Sequence, residues 1–382
     1  MTRRPRVLHC ITHFALGGAE RVAFSLMEAL RNEIEFSVFA VRGKINDGVG
    51  QAMIERFHEM GIPTDNGLRI PMRYGGMLTG AWSMARAIRR FKPDIVHLHA
   101  EIPESSYAVL AALSKKHRQR TTIRTVHNSR VWWFHERMGR WCDRQLSRAI
   151  CIAVSTVAQK EMLRLRKDSQ AGAFEQPPQV ILNGVTAAPI TKKNYAISDP
   201  IEIIFGGRLD QQKGMDLIPE VLRLTKLPPG KRARLRIFGG GEFRTELIAL
   251  SQSPPTGWEI ECQLPTPDFR TRMATADLLL MPSRFEGLPL TAVEASLAGV
   301  PIIATQAPGT IEALPGNHPW LAAPGDAADF AAVLSRALSH PELWSEVAAD
   351  CLKFARERFS IDEMAQAYAR VYTQLTLRSV QS

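Results

Sequence analysis

Twice along the chain, short runs of β-branched and aliphatic residues alternate with stretches of helical periodicity, and no other feature restricts the fold as much. In the first half the runs are "RVLHCI" (6–11), "EFSVFAV" (35–41), "DIVHLH" (94–99), "TTIRTVH" (121–127), "AICIAVS" (149–155) and "QVILNG" (179–184). Between the first two, "AERVAFSLMEALR" sets Val22, Leu26, Met27 and Leu30 on one helical side. Such runs read as buried strands, and strands separated by helices imply a parallel sheet with right-handed crossovers. After the polar connection "TAAPITKKNYAISDP" (186–200) the pattern restarts with "IEIIFGG" (201–207), "RLRIFGG" (234–240), "WEIECQ" (258–263), "DLLLMP" (277–282) and "VPIIAT" (300–305). The expectation is an α/β protein of two doubly wound, Rossmann-like domains, 1–186 and 200–361, with a last helix over 362–382 that can pack back on the first. Ligands of such sheets bind beyond the carboxyl ends of the strands, so two facing sheets imply an interdomain cleft.

Length agrees, because 382 residues exceed what one core usually supports. The five cysteines, Cys10, Cys142, Cys151, Cys262 and Cys351, are scattered without metal-ligand spacing, which favours reduced thiols in a cytoplasm. The opening "MTRRPRVLHCITHFALGGA" reads as a buried first strand, since His9, His13 and the lack of a cleavage context argue against a signal peptide. No stretch of roughly 18 apolar residues occurs to span a bilayer. Charge is uneven: residues 1–186 hold 28 Lys/Arg and 16 Asp/Glu, residues 187–382 hold 20 and 22. Halves of such different charge suit different partners.

Several strand ends carry glycine or charge. In "LGGAER" (16–21), Gly17 and Gly18 let a ligand approach a helix amino end, although a tight turn accounts for them equally. "GGRLDQQKG" (206–214) offers Arg208 as a fork and Lys213 as a point charge for adjacent phosphates; two solvated cations are the plainer account. "FGGGEF" (238–243) adds Gly239, Gly240 and Gly241 but no complete dinucleotide fingerprint, since Arg244 stands where its last glycine would fall. His97, His99 and His127 cluster at strand ends, and hydrogen-bonded structural histidines explain them better than a metal does. In "SRFEGLPLTAVEASLAGVP" (283–301), two carboxylates interrupt a run built for burial. With Pro289 in the first turn, a helix begins near Leu290, Glu286 lies in the preceding loop and Glu294 one turn inside. The free amides among residues 287–291 then suit an anion, and the two acids suit paired hydroxyls of a polyol.

Together these stretches resemble the family-4 retaining glycosyltransferases of GT-B architecture. The resemblance is carried by "GGAER", "VHLH", "TVHN", "AVS" (153–155), "LNGV" (182–185), "GRLDQQKG", "FGGGE" and the paired glutamates of "EGLPLTAVE" followed by "AGVPIIAT". It implies that Glu294 holds the donor ribose, that Glu286 with the backbone of Gly287 and Leu288 holds the transferred sugar, and that Arg208 and Lys213 grip the diphosphate. It also implies His127 over the sugar face, Gly18 beside the donor phosphate, and the base near Cys262 to Leu264. The sequence departs from the family's pattern in "CQLPTP" and in "APGTIEAL", which has one glycine where two are common. The implied reaction moves a hexosyl group from a nucleotide-diphosphate sugar to a hydroxyl with retained configuration, by front-face attack. No Asp-x-Asp occurs and two cations can balance the leaving group, so neither metal nor other cofactor is expected.

The acceptor side is read from residues 114–148, where ten Lys/Arg face two acids among Trp132, Trp133, Phe134 and Trp141. Such a surface suits anionic lipid headgroups and a lipid-linked or polysaccharide acceptor at the inner face of a membrane; a solvated face with inward aromatics is the alternative, and nucleic acid is not expected. Rival readings are a sugar-phosphate synthase or epimerase on the same fold, and a non-catalytic nucleotide-sugar binding module.

Overall fold

The computed structural model describes residues 3–15, 17–44, 49–68, 70–71, 74–186 and 190–381. Leu16 of the first glycine loop, residues 187–189 of the polar connection and Ser382 lie outside them. The chain divides into two compact units, residues 1–184 with 361–382, and residues 185–360.

In the first unit, β1 (Arg6–Ile11), β2 (Glu35–Ala40), β3 (Thr64–Asn66), β4 (Ile95–His99), β5 (Thr122–Val126), β6 (Ile150–Ala153) and β7 (Gln179–Val180) form one parallel sheet in the order β3-β2-β1-β4-β5-β6-β7. In the second, β8 (Ile201–Gly206), β9 (Ala233–Phe238), β10 (Trp258–Gln263), β11 (Leu278–Met281), β12 (Ile302–Thr305) and β13 (Leu321–Ala322) are ordered β10-β9-β8-β11-β12-β13, again all parallel. Each sheet starts in its middle, winds to one edge and then returns to grow the other way. The reversal falls between β1 and β4 in one unit and between β8 and β11 in the other.

The central strands were legible because they are buried on both faces: Val7, Leu8, Cys10, Ile95, Val96 and Leu98 in one sheet, and Ile203, Ile204, Leu278 and Leu279 in the other, have no exposed surface. Each such aliphatic side chain contributes roughly 1.5–3 kcal/mol by leaving water. Edges departed from expectation. "QVILNG" pairs only over Gln179–Val180, and β3 and β13, of three and two residues, carried too little pattern to be read at all.

The last helix, Ile361–Gln381, belongs to the first unit and lays Tyr368 and Tyr372 over the sheet, each almost wholly buried. The polar connection is strapped to the second unit: the half-buried Lys192 places its Nζ 3.0 Å from Asp277 and the Tyr195 hydroxyl donates to the Gly299 carbonyl at 2.8 Å.

Candidate functional site

At the strand-order reversal of the second unit, the carboxyl ends of the adjacent strands β8 and β11 send out two loops, where open α/β sheets hold ligands. The loop after β8 carries Arg208 and Lys213; that after β11 carries Glu286. The Lys213 backbone N–H donates to the Asp210 carboxylate at 3.0 Å, and its Nζ reaches Glu286 Oε1 at 2.6 Å, a contact between residues 73 apart in sequence. Ser283 Oγ donates to the same oxygen at 2.7 Å. Glu286 is 5% exposed, so these two partners repay the desolvation that an isolated carboxylate would suffer.

Further bonds lace the two loops together. The Arg284 guanidinium, two residues from Glu286 in sequence, pairs with Asp216 at 2.6 and 2.7 Å instead, while Gln212 Nε2 donates to the Phe285 carbonyl at 3.1 Å. Arg208 stays largely exposed, with one guanidinium nitrogen 2.5 Å from Asp210 and another 2.5 Å from Gln212 Oε1. Its fork therefore lies at the surface with both terminal nitrogens held by its own loop, while the ammonium of Lys213 on the same loop is half-buried against Glu286.

The helix after this loop runs Leu290–Leu297, with Pro289 outside it as the N-cap and not in its first turn. No side chain caps the helix, so the first-turn amides of Leu290 and Thr291 have no intrahelical acceptor, while Pro289 brings no N–H. Glu294 is fully buried in the second turn, its Oε1 3.6 Å from Arg270 Nε. Burial pushes the Arg270 pKa down. Behind the loop, the Glu286 N–H donates to the Pro308 carbonyl at 2.9 Å, and Gly309 has φ +83°. A Cβ on Gly309 would stand 2.3 Å from the Glu286 carbonyl oxygen, so glycine is what lets this support approach.

Of the three glycines after β9, Gly239 and Gly241 are closed in by the chain itself, with the Gly207 and Leu209 carbonyls 2.1 and 2.4 Å from where a Cβ would sit. Gly240 differs: nothing lies within 4 Å of its Cβ position, so packing does not explain it. At the neighbouring strand end Cys262 is half-buried, burial pushing its thiol pKa up, and Leu264 is exposed. Gly287, Leu288, Pro289 and Leu290 are buried along the same loop and helix start. Arg208, Lys213, Glu286 and Glu294 thus share one sheet edge, two cations outside and two acids inside. That arrangement can neutralise a diphosphate and accept hydrogen bonds from a polyol.

In the first unit, Gly17 precedes the helix Gly18–Leu30 with no side-chain cap, and the Cβ position of Gly18 is open. His97 and His99 are buried on β4, and His127, just past β5, is half-buried. Sequence reasoning missed their partners. His9 Nδ1 lies 2.9 Å from His99 Nε2, and the Tyr372 hydroxyl lies 2.8 Å from His97 Nδ1. Nitrogens of His9, His97 and His99 fall within 4.8 Å of one another, yet both nitrogens of every one of these rings are already engaged in hydrogen bonds. Residue spacing of two on β4 was the available signal, since it puts His97 and His99 on one face.

The basic segment 114–148 splits. Arg124 is buried, bonded to Asp143 at 2.7 Å and to Glu104 at 2.8 Å, and Trp132 is buried beside Gly139; neither belongs to a surface. Trp133 and Phe134 are exposed, as are Tyr74, Leu78 and Trp82 near and on the helix Gly76–Phe91, outside the expected segment. Met77 of that helix joins Arg137, Met138 and Trp141 around an open depression. Leu78, Trp82 and Arg86 recur at four-residue spacing, the signal that could have found this face. Among the described residues no helix is long and apolar enough to cross a membrane.

Comparison with known proteins covers nearly the whole chain. The family model described as Glycosyl transferases group 1 matches residues 188–358, and that described as Glycosyltransferase Family 4 matches residues 16–188. A putative teichuronic acid biosynthesis glycosyltransferase of Bacillus subtilis, TuaC, is 26% identical over 301 residues, 76% of this chain and 73% of that protein. An uncharacterized 41.2 kDa protein in the cps region of Klebsiella pneumoniae is 24% identical over 300 residues, 75% of this chain and 80% of the other. In fold, the chain is similar to Anabaena HepE in complex with UDP-glucose, with TM-score 0.76 and 19% identity over 97% of this chain and 99% of that one.

Proposed function

The chain belongs to the family-4, group 1 glycosyltransferases of GT-B architecture, related to enzymes of polysaccharide biosynthesis, and on that premise we propose that it is a retaining, metal-independent hexosyltransferase using a nucleotide-diphosphate sugar. The observation that carries the reading is the Lys213–Glu286 contact at 2.6 Å, with the exposed Arg208 fork on the same loop. An ammonium bonded to the carboxylate that takes the sugar's hydroxyls links the two halves of such a donor. Arg208 and Lys213 grip the pyrophosphate and offset the charge that grows as it leaves, the largest electrostatic demand of the reaction. Two fixed cations meet that demand, and no step assigned here calls on a metal.

Glu286, with the backbone at Gly287 and Leu288, holds the transferred sugar, and Glu294 the ribose. Gly240 and Gly18 admit phosphate or base close to the backbone, with the base beside Cys262 to Leu264, and His127 serves the sugar. Anabaena HepE has been seen with UDP-glucose, which makes uridine the first nucleotide to try. The acceptor is a lipid-linked or polysaccharide precursor. The enzyme works from the cytoplasm at an anionic membrane surface, through the exposed aromatics Trp82, Trp133 and Phe134 of the first unit and its exposed Arg86 and Arg137.

The test is a panel of nucleotide sugars offered to the purified chain with hydroxyl acceptors, with nucleoside diphosphate release and product stereochemistry measured. Release of diphosphate with an α-linked product from an α-linked donor is expected. Tight donor binding without release would refute an enzyme, and a free sugar phosphate as product would favour a synthase. Sedimentation with anionic but not neutral vesicles checks the membrane face.

A further inference from the structure

Seven groups of the first unit form one unbranched hydrogen-bonded chain. His127 Nε2 meets His99 Nδ1 at 3.0 Å, His99 Nε2 meets His9 Nδ1 at 2.9 Å, and His9 Nε2 meets the Tyr372 hydroxyl at 3.2 Å. From that hydroxyl the chain continues to His97 Nδ1 at 2.8 Å, from His97 Nε2 to Thr125 Oγ1 at 2.7 Å, and on to the Tyr368 hydroxyl at 3.2 Å. Ring centroids of His9 and His99 stand 5.0 Å apart with planes 19° from parallel, the spacing of rings meeting edge to edge, as N–H to N bonding requires. All members but His127 are buried.

A neutral imidazole bonded at both nitrogens donates from one and accepts at the other, and a hydroxyl linking two partners does the same. Every bond of the chain therefore runs in one direction, and one end dictates it. Burial pushes the pKa values of all four histidines down, which keeps the imidazoles neutral. The closed end is Tyr368, buried, whose hydroxyl meets only Thr125 among the described residues. A buried phenol with one partner donates to it, because an unmet O–H costs more than an idle lone pair.

The rest follows link by link. Thr125 donates to His97 Nε2, His97 Nδ1 to Tyr372, Tyr372 to His9 Nε2, His9 Nδ1 to His99 Nε2, and His99 Nδ1 to His127 Nε2. His127 is left with its proton on Nδ1, an atom with no partner among the described residues and not among the buried orphans, so it reaches the surface.

We propose that Tyr368, acting through this chain, fixes His127 as its Nδ1–H tautomer, making His127 a neutral donor to an oxygen of the bound carbohydrate and excluding it as a proton-abstracting base. The use at the carbohydrate rests on the function proposed above; the tautomer does not. Tyr368, Tyr372 and Thr125 are positioning residues, since none of them has to touch substrate.

The experiment is NMR of the full chain with isotope-labelled histidine ring nitrogens, without ligand, His127 being assigned by its loss in His127→Ala. Expected is a single Nδ1–H form for His127. A single Nε2–H form, or an imidazolium at neutral pH, overturns the proposal. Tyr368→Phe removes the deciding O–H, and a mixture of both His127 tautomers is expected; an unchanged Nδ1–H signal overturns the role of Tyr368. Thr125→Val breaks the next link and gives the same result should Tyr368→Phe fold poorly. Tyr107→Phe, which removes a buried phenol bonded to the His117 carbonyl outside the chain, should leave His127 unchanged. If the Nδ1–H form is found but His127→Ala transfers sugar from UDP-glucose at the wild-type rate, the tautomer stands and the placement at the carbohydrate falls.

Discussion

Lowering the pH from 7.5 to 5.5 should destabilise the first unit steeply, because its sheet encloses imidazoles that must stay neutral. Burial holds His9 near a pKa of about 3 and keeps His97 and His99 well below the ordinary value, whereas in the unfolded chain each titrates near about 6.5. These pKa values are depressed on folding, so the unfolded chain binds the extra protons. Stability is complete above about pH 6.5 and is lost as the pH falls from there towards the folded values. At pH 5.5, one unit below the unfolded pKa, each of the three costs about 1.4 kcal/mol, about 4 kcal/mol together. His117, also pushed down by burial, adds in the same direction.

With a urea dependence of roughly 2–3 kcal/mol per molar, the unfolding midpoint should drop by about 1.5 M. The assay is urea unfolding at the two pH values, with hydrogen exchange on peptides covering β1 and β4 assigning the transition to this unit. In His99→Asn the pH slope should flatten by the share of one histidine, whatever the variant's stability at pH 7.5. Equal midpoints for the wild type at the two pH values would refute the reasoning, since the chain would then accept protons in place.

Glu286→Gln keeps an acceptor for Ser283 but takes the countercharge from Lys213, so it should lower the melting temperature somewhat and lower turnover roughly a hundredfold, about 2.7 kcal/mol of transition-state stabilisation; wild-type turnover would remove Glu286 from the site. Arg208→Ala and Lys213→Ala should each weaken UDP binding by about 1.5–3 kcal/mol in calorimetry, and an unaltered affinity would exclude that side chain from the phosphate site. Gly240→Ala meets no neighbour within 4 Å and should fold normally yet bind UDP more weakly, whereas Gly309→Ala, forced against the Glu286 carbonyl, should lose both stability and turnover. Asp143→Asn leaves the buried Arg124 and Arg166 short of a countercharge and should cost about 3–5 kcal/mol in denaturant unfolding.

The central strands and the double α/β pattern were legible in the sequence, because buried parallel strands are continuous apolar runs, and the charge that Arg208, Lys213, Glu286 and Glu294 bring near the strand ends was conspicuous in such a context. Short edges were not: Thr64–Asn66 is polar, and Leu321–Ala322 is two residues long. The basic segment misled over Arg124, since its countercharges are Asp143, 19 positions on within the same segment, and Glu104, on a helix before it, and no local spacing joins either to the strand. The bond between His9 and Tyr372, 363 positions apart, went unread because no local spacing joins them.

What the sequence by itself determined is therefore the class of fold and the kinds of group at each strand end, since both follow from local periodicity and side-chain chemistry. Only the tertiary structure decided who meets whom. Lys213 finds Glu286 because β8 and β11 are neighbours at the reversal of strand order, and Tyr368 comes to command a histidine 241 positions away because the last helix returns to the first sheet. Hydrogen bonds reach about 3 Å, and it takes the whole fold to bring such distant residues that close.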